Sequence, residues 1–328
     1  MGARRLPDSS LRRLRTASDW LTYGVRLMAR NQVAHGQGFL NAEEEVTTLL
    51  TFALGIPWEA LEEALSRPMP GPAAARLRDL LERRVLDREP TAYLTGECWF
   101  GGLRFRVDRR VLIPRSYFVE TLPALVARLD KVPVRQVADA CTGSGCLAIH
   151  LAKAFPEAGV LATDLSPEAL EVARLNVADH GLESRIQVVL ADGLGEAKGP
   201  FDLIVGNPPY EPTALRETLP EEFRREPDMA LFSGDDGLNV VRTLFTQAAK
   251  VLGPKGILSL EIGGLRGAIE VEWPKLHLEW LPTTDGSDCI LVVTRAALRA
   301  GLTKPAAQGR APKPLAPGRV IRRKNRAP

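Results

Sequence analysis

The stretch "DACTGSGCLAI", residues 139–149, joins a predicted strand to a predicted helix through a glycine-rich turn. Gly143, Gly145 and Ala148 match the spacing G-x-G-x-x-G/A in the strand–turn–helix context that gives this pattern its meaning. Glycine at such positions lets the backbone turn tightly and approach a ligand closely. The stretch therefore predicts the first strand and helix of a sheet that binds a nucleotide-like ligand at one edge.

The sequence around and beyond this turn repeats the same alternation. From about residue 134 to residue 262, short apolar runs typical of strands alternate with stretches of helical periodicity. This alternation indicates a parallel sheet covered by helices on both faces. Two further apolar runs flank Asp285-Gly286 and predict an antiparallel pair. The predicted fold class is α/β, with a Rossmann-like parallel sheet that carries an antiparallel edge strand.

The chain before residue 116 has a different pattern. Apolar residues at helical spacing up to about residue 95 predict a small helical domain. Phe105 and Val107, then Val111 and Ile113, alternate with polar residues on either side of Asp108-Arg109, which predicts a β-hairpin. The predicted organisation is a helical N-terminal domain at 1–95, a β-hairpin linker at 96–115, an α/β domain at 116–297 and a tail at 298–328.

The cysteines and the apolar content limit the class of protein. A chain of 328 residues, of which 45% are hydrophobic, can bury a sizeable core and make two domains. Its four cysteines form no CxxC pair and stand at no zinc-finger spacing with histidine, so we expect neither a disulfide framework nor a metal site. Such cysteine usage fits the reducing cytoplasm. No apolar run reaches the roughly 18 residues of a membrane helix, so no membrane contact is expected.

Charge divides the chain into two parts. From Arg299 onward there are nine Lys and Arg and no acid, which leaves 34 basic and 40 acidic residues, a net charge of −6, on the rest. The basic part is also rich in proline and glycine, so we predict that it is disordered. Such a tail can gain salt-dependent affinity for RNA by neutralising phosphates. An inert solubilising extension is the alternative, and the sequence leaves both open.

Acidic residues follow two further strands of the predicted sheet. Asp164 ends the second strand, where a carboxylate can accept both hydroxyls of a ribose. Asp192 ends the third strand, where it could face an adenine amino group. A dinucleotide oxidoreductase would share these features. The fourth strand disfavours that class, because hydride transfer has no use for the "NPPY" that follows it.

The stretch "NPPY", Asn207 to Tyr210, ends the fourth strand with residues that donate few hydrogen bonds. A planar –NH₂ group with a delocalised lone pair is a poor nucleophile toward an electrophilic methyl group. The side-chain carbonyl of Asn207 and the backbone carbonyl of Pro208 could hold its two hydrogens, orient the nitrogen and stabilise the positive charge that develops. Pro209 stiffens the loop, and Tyr210 could stack on the planar group.

These motifs resemble class I methyltransferases that use S-adenosylmethionine and carry N-P-P-[YF]. The resemblance covers the chain to about Ala297 and is closest to the bacterial protein glutamine-N5 methyltransferases, in which a hairpin joins a small helical domain to the catalytic sheet. Three stretches are similar to the member that acts on the third large-subunit ribosomal protein: "AHGQGFLNAEEE" (34–45), "EPTAYLTGECWFGGLRFRVDRRVLIPRS" (89–116) and "LPEEFRREPDMALFSGDDGLNV" (219–240).

The resemblance implies methyl transfer from S-adenosyl-L-methionine to the side-chain amide nitrogen, N5, of a glutamine in a large-subunit ribosomal protein, free or in the assembling subunit. It also implies that the helical domain recognises the substrate. The implied catalytic and substrate-binding residues are Asn207, Pro208, Pro209 and Tyr210, with Glu226 and Pro227 in the wall of the substrate cleft. The implied cofactor site comprises Asp139, Cys141, Thr142, Gly143, Ser144, Gly145, Asp164, Asp192 and Asn207, without a metal.

Other substrates fit the same catalytic loop. Glutamine methyltransferases of peptide-chain release factors share it, although they usually continue Pro-Asp-Thr-Glu where this chain has Ser116 after Pro114-Arg115. DNA adenine methyltransferases share it too, but a base-flipping enzyme needs a basic cleft and a target-reading domain. A non-enzymatic RNA-binding adaptor that uses the tail is disfavoured by the intact catalytic loop.

Overall fold

The computed structural model describes residues 11, 13–130 and 133–302 of the chain. The chain divides into two compact units. One consists of Met1–Cys98 together with Leu219–Arg225, and the other of Trp99–Thr218 together with Glu226–Pro328. The sequence did not indicate that Leu219–Arg225 belongs with the N-terminal residues, because this segment is separated from them by most of the sheet.

The first unit is helical, as predicted, and its helix Ala17–Arg30 begins at a side-chain cap. The hydroxyl of Thr16 accepts from the N–H of Asp19, whose carboxylate accepts from the N–H of Thr16, so this helix starts at a capping box. Leucines at helical spacing form the core of the unit, among them Leu49, Leu50 and Leu77. From residue 13 onward, the described part of this unit has the α-helices α1 (Ala17–Arg30), α2 (Ala42–Leu54), α3 (Leu61–Leu65), α4 (Gly71–Leu86) and α5 (Thr91–Thr95).

A network of buried charges crosses the core of the helical unit. The carboxylate of Glu45 on α2 accepts from the guanidinium of Arg84 on α4 at 2.5 and 2.9 Å, from the hydroxyl of Thr91 at 2.6 Å, and contacts His35 Nδ1 at 2.5 Å. Burial alone would raise the pKa of Glu45, but these hydrogen bonds outweigh it and hold the pKa at about 2. Glu222 adds a second carboxylate, which accepts from Arg88 at 2.9 Å.

The second unit contains a seven-stranded sheet in the order β5-β4-β3-β6-β7-β9-β8. The strands β3 to β7 pair in parallel, which confirms the predicted class. The antiparallel strand is β9, which lies between β7 and the edge strand β8. The strands of this sheet are β3 (Gln136–Ala140), β4 (Gly159–Asp164), β5 (Ile186–Leu190), β6 (Phe201–Gly206), β7 (Leu252–Glu261), β8 (Glu279–Leu281) and β9 (Ile290–Thr294).

Helices connect and cover these strands. Leu244 and Phe245 are fully buried against apolar side chains of the sheet, including Leu258 and Leu291. The α-helices are α6 (Phe118–Leu129), α7 (Cys146–Ala154), α8 (Pro167–Asp179), α9 (Asp228–Leu231), α10 (Asn239–Val251), α11 (Arg266–Glu272) and α12 (Arg295–Gly301). None of the helices within the described ranges is long and apolar enough to cross a membrane.

The hairpin of the linker lies earlier than the sequence predicted. Its strands are β1 (Glu97–Phe100) and β2 (Leu103–Arg106), which turn at Gly101-Gly102, both with positive φ. The prediction of a hairpin turn at Asp108-Arg109 was wrong. The carboxylate of Asp108 instead accepts from the N–H of Arg110 at 3.0 Å, in a loop. Val111 and Ile113 alternate with polar residues because they are buried, and not because they pair in a sheet.

The C-terminal end of the α/β unit also differs from expectation. Helix α12 extends to Gly301, so the first residues of the predicted tail, from 298, are helical. Leu298 is fully buried in the core of the sheet, which explains why the helix continues past Ala297. Most of the predicted basic tail, residues 303–328, lies outside the described residues.

Candidate active site

The carboxyl ends of four parallel strands meet at one edge of the sheet. Ala140 of β3 lies opposite Thr163 of β4 on one side and opposite Gly206 of β6 on the other. The chain order therefore reverses between β3 and β6, and such a switch point is where open α/β sheets bind ligands. The predicted site segments that follow these strands are thereby brought to one edge.

The glycine-rich turn after β3 has the backbone geometry that its sequence predicted. Gly143 and Gly145 have φ of +53° and +81°. A Cβ on Gly145 would lie 3.3 Å from Cα of Ala173, so this glycine allows α8 to pack closely. A Cβ on Gly143 would meet nothing within 4 Å, so the turn borders open space there. Cys141 also has a positive φ, +60°, and burial raises the pKa of its thiol, which stays protonated at neutral pH.

Asp139 lies beneath this turn and is fully buried. Its Oδ2 accepts from the hydroxyl of Thr142 at 2.5 Å and from the N–H of Ala148 at 2.9 Å. Its Oδ1 has no hydrogen-bond partner among the described residues. Burial raises the pKa of Asp139 to about 7, because the two hydrogen bonds only partly compensate for lost hydration. An unpaired buried oxygen of this kind can receive a donor from a ligand.

Asp164 closes the opposite side of the same turn. Its Oδ2 accepts from the N–H of Gly143 at 2.8 Å, and its Oδ1 accepts from the N–H of Ser166 at 2.9 Å. Burial raises the pKa of Asp164. The next residue, Leu165, is 53% exposed although it is apolar. Leu165 was not among the residues predicted from the sequence, where its only signal was its place directly after the acid.

Asp192 comes two residues after Leu190, which ends β5 and lies opposite Asp164 in the sheet register. The residue is exposed, while its backbone carbonyl accepts from Gln247 Nε2 at 2.9 Å. The backbone carbonyl of Gly193 accepts from the hydroxyl of Thr163 at 2.7 Å. These two bonds fix the loop that carries Asp192 at the same edge.

The "NPPY" loop begins directly after β6. Asn207 Nδ2 donates to the backbone carbonyl of Arg115 at 3.4 Å, which leaves Oδ1 as the acceptor on the other side of the amide. Pro208 and Pro209 are buried. A Cβ on Gly263 would lie 2.5 Å from Cε2 of Tyr210, so the Tyr210 ring packs on a glycine. Burial and the charge of Glu261 raise the pKa of Tyr210.

Glu261, at the end of β7, is a second residue that was not predicted from the sequence. Its carboxylate accepts from the hydroxyl of Ser116 at 2.6 Å and from the N–H of Tyr117 at 2.9 Å. Since Leu260 lies opposite Gly206, Glu261 is level with the start of the "NPPY" loop. The sequence signal that could have identified Glu261 was an acid at the end of a buried apolar strand.

The remaining predicted site residues lie just after the loop. Glu226 is enclosed, and its carboxylate accepts from Arg115 and from the N–H of Ile113. Pro227 is half-buried and directly precedes α9. Over the described ranges, no three His, Cys, Asp or Glu side chains form a group that could hold a metal ion.

Comparison with known proteins gives the class of protein. Residues 121–262 match the family model described as "Methyltransferase small domain", and residues 27–96 match "PrmC N-terminal domain". The first match contains the glycine-rich turn, Asp164, Asp192 and the "NPPY" loop. The α/β unit therefore has the fold of a methyltransferase domain.

Curated relatives define the family more closely. The ribosomal protein uL3 glutamine methyltransferase of Bordetella pertussis is 42% identical over 298 residues, which cover 89% of this chain and 99% of the relative. The protein of the same name from Neisseria meningitidis serogroup A is 39% identical over 294 residues, 89% of this chain and 97% of the relative. The chain belongs to the ribosomal protein uL3 glutamine methyltransferase family, as the sequence resemblance predicted.

A likeness to solved structures is weaker. The hMettl16 catalytic domain, in complex with the MAT2A 3′UTR hairpin 6, matches with a TM-score of 0.48 and 17% identity. The match covers 69% of this chain and 83% of that domain.

Proposed function

We propose that this chain transfers a methyl group from S-adenosyl-L-methionine to the side-chain N5 of a glutamine in ribosomal protein uL3. The orientation of Asn207 carries the proposal. Because its Nδ2 is bound to the carbonyl of Arg115, its Oδ1 is available to accept from a planar –NH₂ group at the ligand-binding edge of the sheet. The names of the relatives support glutamine and uL3 as the substrate.

The residues at the edge of the sheet fit S-adenosyl-L-methionine. Cys141 to Gly145 would hold the methionine end, for which the open space beside Gly143 and the unpaired Oδ1 of Asp139 are suited. Asp164 would accept from the ribose hydroxyls, and Asp192 would accept from the adenine amino group. The exposed apolar side chain of Leu165 would pack on the adenine. When bound, the cofactor supplies an electrophilic methyl group on a sulfonium that leaves readily.

The catalytic loop would act by positioning and by electrostatics. Asn207 Oδ1 and the Pro208 carbonyl would accept the two amide hydrogens of the glutamine, which directs the nitrogen lone pair along the line of attack. As the nitrogen gains positive charge, these two fixed carbonyl dipoles stabilise it without reorganising. The nitrogen then releases one of its two protons to solvent, so the product amide keeps one N–H and gains one methyl group. Tyr210 would pack beside the planar amide.

Two regions would select the protein substrate. Glu226 and Pro227 follow the catalytic loop, and Pro227 remains a candidate for direct contact with substrate. The helical domain would supply most of the recognition surface, in line with the match of residues 27–96 to a separate N-terminal family. With uL3 as substrate, the chain would act in the cytoplasm, before or during assembly of the large subunit. A contribution of the basic tail to RNA binding stays a prediction.

The purified protein can be tested with methyl-labelled S-adenosyl-L-methionine and three separate substrates: uL3, a peptide-chain release factor and duplex DNA. We expect labelling of uL3, located to one glutamine by peptide mass spectrometry. The Asn207→Ala variant should lose at least about 100-fold in kcat, while its Kd for the cofactor stays within about twofold. Asn31→Ala, which removes an asparagine from the end of α1, is the matched control. Labelling of the release factor or of DNA alone would contradict the proposal.

A further inference from the structure

We propose that Glu226 is a positioning residue that acts through Arg115 to set the orientation of the Asn207 side-chain amide. The inference rests on the proposed function and assigns Glu226 a role other than direct contact with substrate. These three residues come from separate parts of the chain. Arg115 lies in the segment after the hairpin, Asn207 in the loop after β6, and Glu226 directly before Pro227 and α9.

Both oxygens of the Glu226 carboxylate accept hydrogen bonds from within the protein. Its Oε1 accepts from Arg115 Nη1 at 2.6 Å and from the N–H of Ile113 at 2.9 Å, and its Oε2 accepts from Arg115 Nη2 at 2.7 Å. The side chain of Glu226 is 0% exposed. A two-point arginine–carboxylate pair fixes direction as well as distance. The geometry therefore suits Glu226 for holding Arg115, and not for binding a substrate group from solvent.

The pair with Glu226 fixes the backbone around Arg115 as well as its side chain. The guanidinium also donates from Nη1 to the carbonyl of Ile113 at 3.2 Å, and Glu226 accepts the N–H of the same Ile113. Both backbone polar groups of Ile113 are thus tied to the ion pair. The carbonyl of Arg115, two residues later, is held in the direction from which it accepts Asn207 Nδ2.

This carbonyl decides which way the Asn207 amide faces. A carbonyl can only accept, so it selects the –NH₂ side of the asparagine and turns Oδ1 toward the substrate. An inverted amide would present two N–H donors to the –NH₂ group of a glutamine, and the catalytic hydrogen bond would be lost. The two orientations have nearly the same shape, so packing alone discriminates poorly between them. A fixed acceptor on one side provides that discrimination.

The first test detects the orientation of the Asn207 side-chain amide without measuring enzyme activity. In the full chain labelled with ¹⁵N-asparagine, the side-chain resonances of Asn207 are assigned by their loss in Asn207→Ala. We expect Glu226→Gln to shift these resonances and to speed their exchange with water, because the introduced amide would place a donor against Arg115. Glu279→Gln removes an exposed ion pair with Arg128 at the far edge of the sheet and should leave them unchanged. Unshifted Asn207 resonances in Glu226→Gln would overturn the inference.

The second test reads the reaction with whichever substrate the wild-type protein methylates. Glu226→Gln should lower kcat about 10-fold, with KM for the protein substrate and Kd for the cofactor within about twofold. In the Asn207→Ala background the same substitution should change kcat by less than about twofold, because its target is gone. Equal factors in both backgrounds, or a raised KM at unchanged kcat, would overturn the inference.

A further variant and the thermal midpoint distinguish a positioning role of Glu226 from an effect on folding. Glu226→Asp keeps the charge and shortens the side chain, so we expect an intermediate loss of kcat with an Asn207 resonance closer to that of the wild type. If Glu226→Gln lowers the thermal midpoint and also lowers cofactor affinity and kcat by the same factor, its role is structural and the inference fails. Failure of the proposed function is separate, since it would appear as missing methylation of uL3 by the wild-type protein.

Discussion

The N–H of Gly143 donates to Oδ2 of Asp164 at 2.8 Å, so the glycine-rich turn after β3 and the acid that ends β4 are directly bonded. Asp164 Oδ1 is bonded to the N–H of Ser166 at the start of α8. One carboxylate thus orders two loops of the proposed cofactor site through bonds within the chain. Preorganisation of this kind lowers the entropic cost of binding.

Asp164→Asn tests the binding role of this carboxylate. The amide keeps one acceptor for Gly143 but loses the charge and gains donors where ribose hydroxyls would donate. We expect the Kd for S-adenosyl-L-methionine to rise between about 10-fold and 100-fold, the effect of one or two hydrogen bonds to a charged group. Calorimetric titration measures it. Asp179→Asn, which removes an acid paired with Arg106 at the end of α8, is the control. A Kd within twofold of the wild-type value would remove Asp164 from the site.

Asp139 should make the stability of the apo protein depend on pH. Its pKa is about 7 in the folded chain and close to 3.8 in the unfolded chain, so the folded state binds more protons between these values. The resulting stabilisation is complete below about pH 4 and is lost as the pH rises through about 7. In Asp139→Asn this part of the pH dependence should disappear, and above pH 7 the variant should be more stable than the wild type.

Urea unfolding at several pH values, compared between wild type and Asp139→Asn, measures this difference. The asparagine can still accept from Thr142 and Ala148, so the two native hydrogen bonds survive. Asp202→Asn, at an acid near the opposite end of β6, provides a control in the same sheet. Parallel stability curves for wild type and Asp139→Asn between pH 4 and 7 would contradict the prediction.

Much of the fold could be predicted because its signals are local. Buried parallel strands such as β6 are mostly apolar runs, and Gly143 and Gly145 mark the turn between strand and helix. The features that escaped prediction depend on residues far apart in the chain. Glu222 accepts from the N–H of Ala34, 188 residues away, and Glu226 pairs with Arg115 across 111 residues. The periodicity of apolar residues does not reveal contacts between residues so far apart in the chain. The hairpin turn was misplaced because burial of Val111 and Ile113 imitates strand alternation.

Gly263 should be required for the position of the Tyr210 ring. A methyl group there would lie 2.5 Å from Cε2 of Tyr210, and φ of +50° adds backbone strain for any residue with a Cβ. We expect Gly263→Ala to displace the ring and lower kcat about 10-fold or more, with a loss of about 1 kcal/mol or more in stability. Gly264→Ala is the matched control, because a Cβ there meets nothing within 4 Å. Equal activities of the two variants would show that the ring position is not used.

Glu45 should dominate the stability of the helical unit. Glu45→Ala would leave the guanidinium of Arg84, which is almost completely buried, without its main partner, and removal of one member of a buried ion pair costs about 3–5 kcal/mol. Hydrogen exchange of the amides of α2 measures the free energy of opening of this unit. Glu63→Ala removes an exposed ion pair with Arg67 and should cost less than about 1 kcal/mol. Because the pKa of Glu45 is about 2 in the folded chain against an ordinary 4.5, the wild-type stabilisation is present above pH 4.5 and lost as the pH falls through about 2. Equal protection of α2 in the two variants would show that the buried network contributes no more than a surface pair.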